Sequence, residues 1–307
     1  MCLLGCYDED IKLSSQGEPF YTLPQGDHPY DKCIVEWFEK YGFYTLYDFD
    51  ERDLYWNNTD WEESEMLDYG LTGKLLGYKA DTNYVAEQVQ LFQDLFLAHY
   101  PDEYLEKGMP LKILLCSYLK LGKNQRIWNP EIGKTEVVTV YDDLWGKKGY
   151  DYLAINGGNE LAKNMTDSLK AEFSMGVNSL FLRILGEKKL LVNPPSVFFE
   201  FSNDYYGEYF PGDAAMFQIG ILTQDVRKNT VEESMYQDFL AYLALAGYPL
   251  SILEENVGVS DNAYMYPSLR GVFRSDRDVN GIVRQKYDII VEWLRTLGIG
   301  VDALQNP

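Results

Sequence analysis

The run Asn178-Ser179-Leu180-Phe181-Leu182-Arg183-Ile184-Leu185 decides how this chain is organised. A short basic turn follows, and then Asn193-Pro194-Pro195-Ser196-Val197-Phe198-Phe199-Glu200-Phe201-Ser202-Asn203-Asp204-Tyr205-Tyr206. From Asp167 onward Leu169, Phe173, Val177, Leu180, Phe181 and Ile184 recur at helical spacing and form one broad apolar face. A surface helix needs only a narrower stripe, so this helix is expected to be central and largely buried.

Upstream of it, the pattern alternates between helix and strand. Asp27 and Pro29 supply a start signal for a helix carrying Cys33, Ile34, Trp37 and Phe38, which Gly42 ends. Residues 43–49 alternate and are rich in aromatics, as a strand requires. Residues 50–70 carry acids, Asn57, Asn58, Trp56 and Trp61, and read as a loop with an aromatic platform. Thr82 is placed to cap a helix with Val85, Val89, Phe92 and Phe96 on one stripe, and a second short helix runs through Glu103 and Leu105. Segments 111–119, 137–141 and 152–155 read as strands, the last ending in Asn156-Gly157-Gly158. The expected fold class is therefore α+β: a small mixed sheet with packed helices (30–160), followed by a mainly helical half (161–307).

The chain has 307 residues, 46% of them hydrophobic and 15% aromatic, enough for a substantial core without staples. Its net charge of -21 excludes nucleic acid as a natural partner, because binding a polyanion needs clustered Lys and Arg. The 25 tyrosines suit either a Tyr-rich core and rim or aromatic faces that meet sugar rings and peptides.

Four cysteines occur, Cys2, Cys6, Cys33 and Cys116. Leu3-Leu4-Gly5-Cys6 matches a bacterial lipobox, with Cys6 as the lipidated residue and residues 1–5 as the remnant of a signal peptide. A signal sequence needs a charged start and an apolar stretch, so the reading frame is expected to extend upstream of Met1 by roughly 10 to 20 residues. Asp8, Glu9 and Asp10 follow, and residues 6–29, rich in Ser, Gly, Pro, Gln and acids, read as a tether. Cys33 and Cys116 sit in apolar runs and read as buried packing. No stretch is long and apolar enough to span a bilayer, so membrane attachment is expected through the lipid alone.

The opening stretch resembles the catalytic segment of a zinc-binding metallopeptidase family, the substrate import-associated zinc metallohydrolase lipoproteins. In that family a buried helix carries His-Glu-Phe-x-His-Ile-Leu and is followed by Pro-x-x-Phe, a Ser and a Tyr. Here the matching run is Ser179-Leu180-Phe181-Leu182-Arg183-Ile184-Leu185, with Pro195, Phe198 or Phe199, Ser202 and Tyr206 after it. The segment from Tyr78 to Tyr118, the run Gly220-Ile221-Leu222-Thr223 and the tail from Val283 to Leu304 are similar to the family in the same order. The resemblance implies a zincin-like fold. It also implies a degenerate metal site: Ser179 and Arg183 stand at the positions of the two histidines and Leu180 at that of the glutamate base. The third ligand falls on Tyr236 or Gln237.

The physics of that loss is general. Two imidazoles at i and i+4 grip one zinc ion, and a neighbouring glutamate takes a proton from its water. Serine is a poor zinc ligand, leucine moves no protons, and arginine sets a permanent cation beside a dication. No metal and no cofactor are therefore expected at this helix. Arg183 is expected to pair instead with Glu200 or with Glu232 or Glu233, holding the cleft together, and Glu172 is the least favoured partner. Glu200, Tyr205 and Tyr206 are the candidate cleft residues.

Other constellations carry less. With only His28 and His99 present, neither a second zinc site nor a histidine-based triad has its parts. Asp276-Arg277-Asp278-Val279-Asn280-Gly281 begins like a calcium loop, but Tyr287 stands where a bidentate glutamate is needed, so a helix-capping turn is expected. The 48 acids offer many carboxylate pairs and select none. By resemblance, the reading is a surface lipoprotein of the outer membrane. It would be a non-catalytic pseudo-metallopeptidase that binds a peptide or glycan beside an outer-membrane transporter or companion lipoprotein in nutrient import. The alternatives are a zinc-dependent or carboxylate-based hydrolase and a structural subunit of an outer-membrane complex, whose cleft would be filled by its own side chains.

Overall fold

The computed structural model describes residues 21–54, 75–192, 194–209, 213–223, 226–228, 230–257 and 269–307. Cys6, the acidic run after it, Trp56 and Trp61 lie outside the described residues. In chain order the elements are α1 (Pro29–Tyr41), β1 (Tyr44–Leu46), α2 (Glu51–Leu54), β2 (Leu75–Lys79), α3 (Val85–Leu95), α4 (Asp102–Gly108), β3 (Lys112–Asn129), β4 (Lys134–Asp143), β5 (Gly146–Lys148) and β6 (Tyr152–Ile155). Then come α5 (Asp167–Glu187), α6 (Val197–Glu200), α7 (Asp213–Phe217), α8 (Val231–Ala246), α9 (Leu250–Leu253), α10 (Ile282–Thr296) and α11 (Val301–Gln305). The fold is α+β, and every described strand precedes the long helix α5.

The sheet is mixed, in the order β1-β3-β6-β5, with β2 and β4 added along β3. β1 and β6 run parallel to β3, whereas β2 and β4 run antiparallel to it and β5 antiparallel to β6. Both faces of β3 are covered, which explains its near-continuous apolar start. Ile113 and Leu115 point into the main core with Phe92, Phe173 and Phe181, while Leu114 and Cys116 point into a smaller cluster with Leu46, Leu54 and Leu75. Beyond Leu121, β3 leaves the body and pairs with β4 alone among the described strands. The strand runs ten residues past Leu119, where its apolar pattern ends, because pairing with β4 carries it on without a buried face.

α5 is the central helix. Thr166 caps it, its Oγ1 accepting from Leu169 N at 3.3 Å, and Phe173, Val177, Phe181, Leu182 and Leu185 are fully buried. Asn178, also fully buried, accepts from Tyr100 OH at 2.9 Å and donates to Leu95 O and Ser174 O, tying the helix to the end of α3. A buried amide is stable there because both its acceptor and its donors are matched.

Several local expectations change. α3 begins after Tyr84, and Asp81, not Thr82, shapes the turn before it by accepting from Asn83 N. Residues 21–28, read as the end of the tether, are docked: the Gln25 side chain accepts from Tyr47 N, and Lys112 Nζ donates to Tyr21 OH. Cys33 is exposed, because the buried stripe of α1 runs through Tyr30, Ile34 and Trp37 and leaves it one position aside. Cys116 is buried, and burial pushes its thiol up to about 12. Among the described residues no helix is long and apolar enough to cross a membrane.

Candidate functional site

The structure brings most of the singled-out helix positions to one junction, where α5 meets α8 and the edge strand β5. Gly247, the residue that ends α8, lies so close to Ser179 that a Cβ added to it would overlap the Ser179 backbone. Gly146 of β5 presses in the same way on Gly176 and Leu180, and Gly186 admits Leu240 and Leu243. Tyr236 OH donates to Gly186 O at 3.0 Å, and Gln237 is half-buried one residue further on. Backbone-to-backbone approach through glycine packs the end of α8 on the Asn178–Ser179 backbone, while Ser179, Leu180 and Arg183 each keep part of their surface in solvent.

Arg183 takes a different partner from the expected ones. Its Nε lies 3.0 Å from Glu187 Oε1, one turn along the same helix, and Lys148 of β5 pairs with the other oxygen of Glu187. Glu200 is exposed at the end of α6, and Glu232 and Glu233 are exposed in the first turn of α8, so none of them has reason to draw a guanidinium inward. Glu172, the least favoured partner, is also taken: Arg270 Nη2 lies 2.7 Å from it. Arg183 keeps about a third of its side chain in solvent at 35% exposure, so this is a rim ion pair, not a buried clasp. Burial would raise the Glu187 carboxyl, but Lys148 and Arg183 together outweigh it and hold the pKa below the ordinary value. The Tyr236 hydroxyl is raised by burial and by Glu187, with Arg183 opposing. Arg183, Glu187, Lys148 and Tyr236 thus form one small network where α5, α8 and β5 converge.

A buried clasp does exist, on residues the sequence reading passed over. Lys286 of α10 and Asp238 of α8 are both fully buried, with Nζ 2.5 Å from Oδ2. Lys286 Nζ also donates to Ser202 Oγ and to Gly220 O, each at 2.9 Å. Three acceptors around one amine match the three donors of an ammonium ion. Asp238 Oδ2 further accepts from Tyr206 OH at 2.8 Å, and Ser202 Oγ donates to Ile219 O at 2.7 Å. The rings of Phe198, Tyr242 and Tyr206 surround the ammonium at 4.4, 4.8 and 5.9 Å. Burial pushes Asp238 up and Lys286 down, and each charge opposes the other's shift. Tyr206 is raised by the same burial and by Asp238.

This places the motif residues after α5. Ser202 and Tyr206, which the sequence grouped with Ser179 and Arg183, belong to the buried clasp. Tyr206 lines no cleft, being almost wholly enclosed, while Tyr205 beside it is 41% exposed. The clasp ties α8 and α10 to the segment after α6 and to the turn at Gly220, and with Ser202 and Lys286 both sealed from solvent it is a structural unit. Asp278 acts as the predicted cap, its carboxylate accepting from Val283 N at 3.0 Å and Arg284 N at 2.8 Å.

Among the described residues no three His, Cys, Asp or Glu side chains converge in a way that could hold a metal ion. A cavity of about 570 Å³ lies at the other end of α5, lined by Asp167, Ser168, Glu172, Glu255, Arg270 and Gln305 among others. Arg270 stands in its wall between Glu172 and Glu255, 2.7 Å from each. Its lining of hydroxyls, amides, carboxylates and one guanidinium suits a polar ligand.

No protein-family model matches the chain, and no curated protein matches it. A solved structure described as a "putative zinc-binding metallo-peptidase" from Bacteroides caccae ATCC 43185 is similar at 13% identity, over 90% of this chain and 88% of that one, with a TM-score of 0.45. At that level the likeness carries no argument about activity or site.

Proposed function

We propose that this protein is a non-hydrolytic binding protein built on a zincin-like plan, a pseudo-metallopeptidase whose catalytic position has become packing. The observation that carries this reading is the filled junction. Gly247 packs on the Ser179 backbone, Leu180 packs on Gly146, Tyr236 is spent on the Gly186 carbonyl, and Arg183 is spent on Glu187. A hydrolytic site needs a nucleophile or metal-bound water with room for substrate beside it, and none of these side chains supplies either. Binding is assigned to the polar cavity at the start of α5, where Ser168, Ser251, Gln305 and Asn306 line the wall with the hydroxyls and amides that a glycan or a peptide end requires, and Arg270, paired with Glu172 and Glu255, holds that wall together. In this reading Cys6 carries a lipid, the protein sits at the outer-membrane surface, and a transporter or companion lipoprotein receives what it binds.

Elemental analysis after dialysis against zinc-free buffer is the first test. Well under stoichiometric zinc is expected, and one retained zinc per chain overturns the reading. Calorimetric titration with oligosaccharides and short peptides, with Arg270→Ala as control, tests the cavity. Mass spectrometry of membrane-extracted protein tests lipidation at Cys6. A second reading, a structural subunit of a surface complex, is favoured by the same filled junction and gains if the cavity binds nothing.

A further inference from the structure

The feature least explained by any binding role is the arm formed by β3 and β4. From Lys120 to Asn129 β3 pairs with Asp143 to Lys134 in ten consecutive positions without a bulge. A two-stranded ribbon is marginal alone in water, and a long regular edge strand presents a row of backbone donors and acceptors. Ile127, Trp128, Ile132 and Val137 are 47%, 61%, 53% and 49% exposed, so the arm also shows large apolar side chains to solvent. Its charge sets it apart as well. Between residues 120 and 143, Lys120, Lys123, Arg126 and Lys134 balance Glu131, Glu136, Asp142 and Asp143, so the arm is neutral in a chain of net charge -21.

We propose that the arm is a homodimerisation element, in which β4 pairs antiparallel with β4 of a second copy about a two-fold axis at Val138. Two bodies this acidic repel one another wherever acidic surfaces meet, and the neutral arm is where a second copy approaches without that penalty. A two-fold normal to the ribbon keeps the same face of both copies upward, so residues of equal parity stand opposite. Centred on Val138, Lys134 faces Asp142 of the second copy, Glu136 faces Val140, and Val138 meets itself. Centred on Thr139, Glu136 would face Asp142, and centred on Val137, Lys134 would face Val140, so no opposite charges would meet. Like charges directly opposite are destabilising, so electrostatics selects the Val138 register. The pairing yields one four-stranded sheet and carries the apolar tip of each arm, with Trp128, to the root of the other.

Sedimentation velocity of the purified full chain, over about 1 to 100 µM, measures the association directly. A concentration-dependent dimer is expected. Lys134→Glu sets carboxylate against carboxylate twice per dimer and is expected to raise the dissociation constant by about tenfold or more, Asp142→Lys likewise, and the double exchange restores pairing. These positions are exposed, so circular dichroism of each variant is expected to match the parent. A chain that stays monomeric at every concentration overturns the proposal, including one that associates only with a different protein. So does a dimer that neither exchange weakens, and so do single variants whose loss the double exchange fails to repair.

Discussion

Two ion pairs set side by side show how position decides what a charge does in this molecule. At the α5–α8–β5 junction Arg183 and Glu187 sit about a third exposed, one turn apart on the same helix. Deep between α8 and α10, Lys286 and Asp238 have no exposure and are 48 residues apart in the chain. The first pair keeps access to water, so losing a partner leaves a solvated charge behind. The second has only its partners, so losing one strands the other in a low-dielectric interior. The expected lock on the helix that resembles a catalytic one is thus absent, and the lock the fold uses lies on the next layer of helices.

The largest expected effect is on the buried pair. Lys286→Met leaves the Asp238 carboxylate without its counter-charge and is expected to cost about 3–5 kcal/mol, read as a fall in the denaturation midpoint. Adding Asp238→Leu removes the stranded charge, and the double variant is expected to recover much of the loss. If Lys286→Met alone matched the parent, the clasp would not be a structural unit.

An intermediate effect is expected at the contact that fills the junction. Gly247→Ala places a methyl against the Ser179 backbone, which a helix cannot turn aside, at an expected cost of about 1–3 kcal/mol from overpacking. Thermal melting reads it, and an unchanged midpoint would mean that α8 does not press on α5 there.

The smallest effect belongs to Arg183. Arg183→Ala is expected to cost under about 1 kcal/mol, the ordinary worth of a rim pair one helical turn apart. A loss as large as that from Lys286→Met would erase the contrast between the two regions. The acid side sharpens it. The Glu187 carboxyl is held below its usual 4.5, so its contribution is fully present above that value and is lost as pH falls through the lower folded-state pKa. Glu187→Gln is therefore expected to lower stability at neutral pH by under about 1 kcal/mol and to converge with the parent as pH falls well below 4.5, which flattens the acid limb of the profile.

What was legible beforehand follows from local periodicity. The apolar period running through Phe173, Val177 and Phe181 sets α5 within a residue of its observed start, and Asp278 ahead of Ile282 marks a cap that the backbone indeed uses. Lys286 was also in view. It lies on the buried stripe of α10 with Val283, Tyr287 and Ile290, and a cation on an apolar stripe signals a paired charge. Asp238, one residue past the positions singled out on α8, is its counterpart.

The sequence by itself determined the long helices α1, α3, α5 and α10, the core of β3 and β6, and the absence of any imidazole or carboxylate at Ser179, Leu180 and Arg183, because those depend on residue type and spacing. Tertiary structure decided which of the distant charges meet and which local pairs, such as Arg183 with Glu187 four residues on, keep their access to water. Partner choice depends on distances across the fold and on access to water, so Arg183 turned to its own helix, Glu172 went to Arg270, and Tyr206 and Ser202 joined a lysine 84 residues from Ser202.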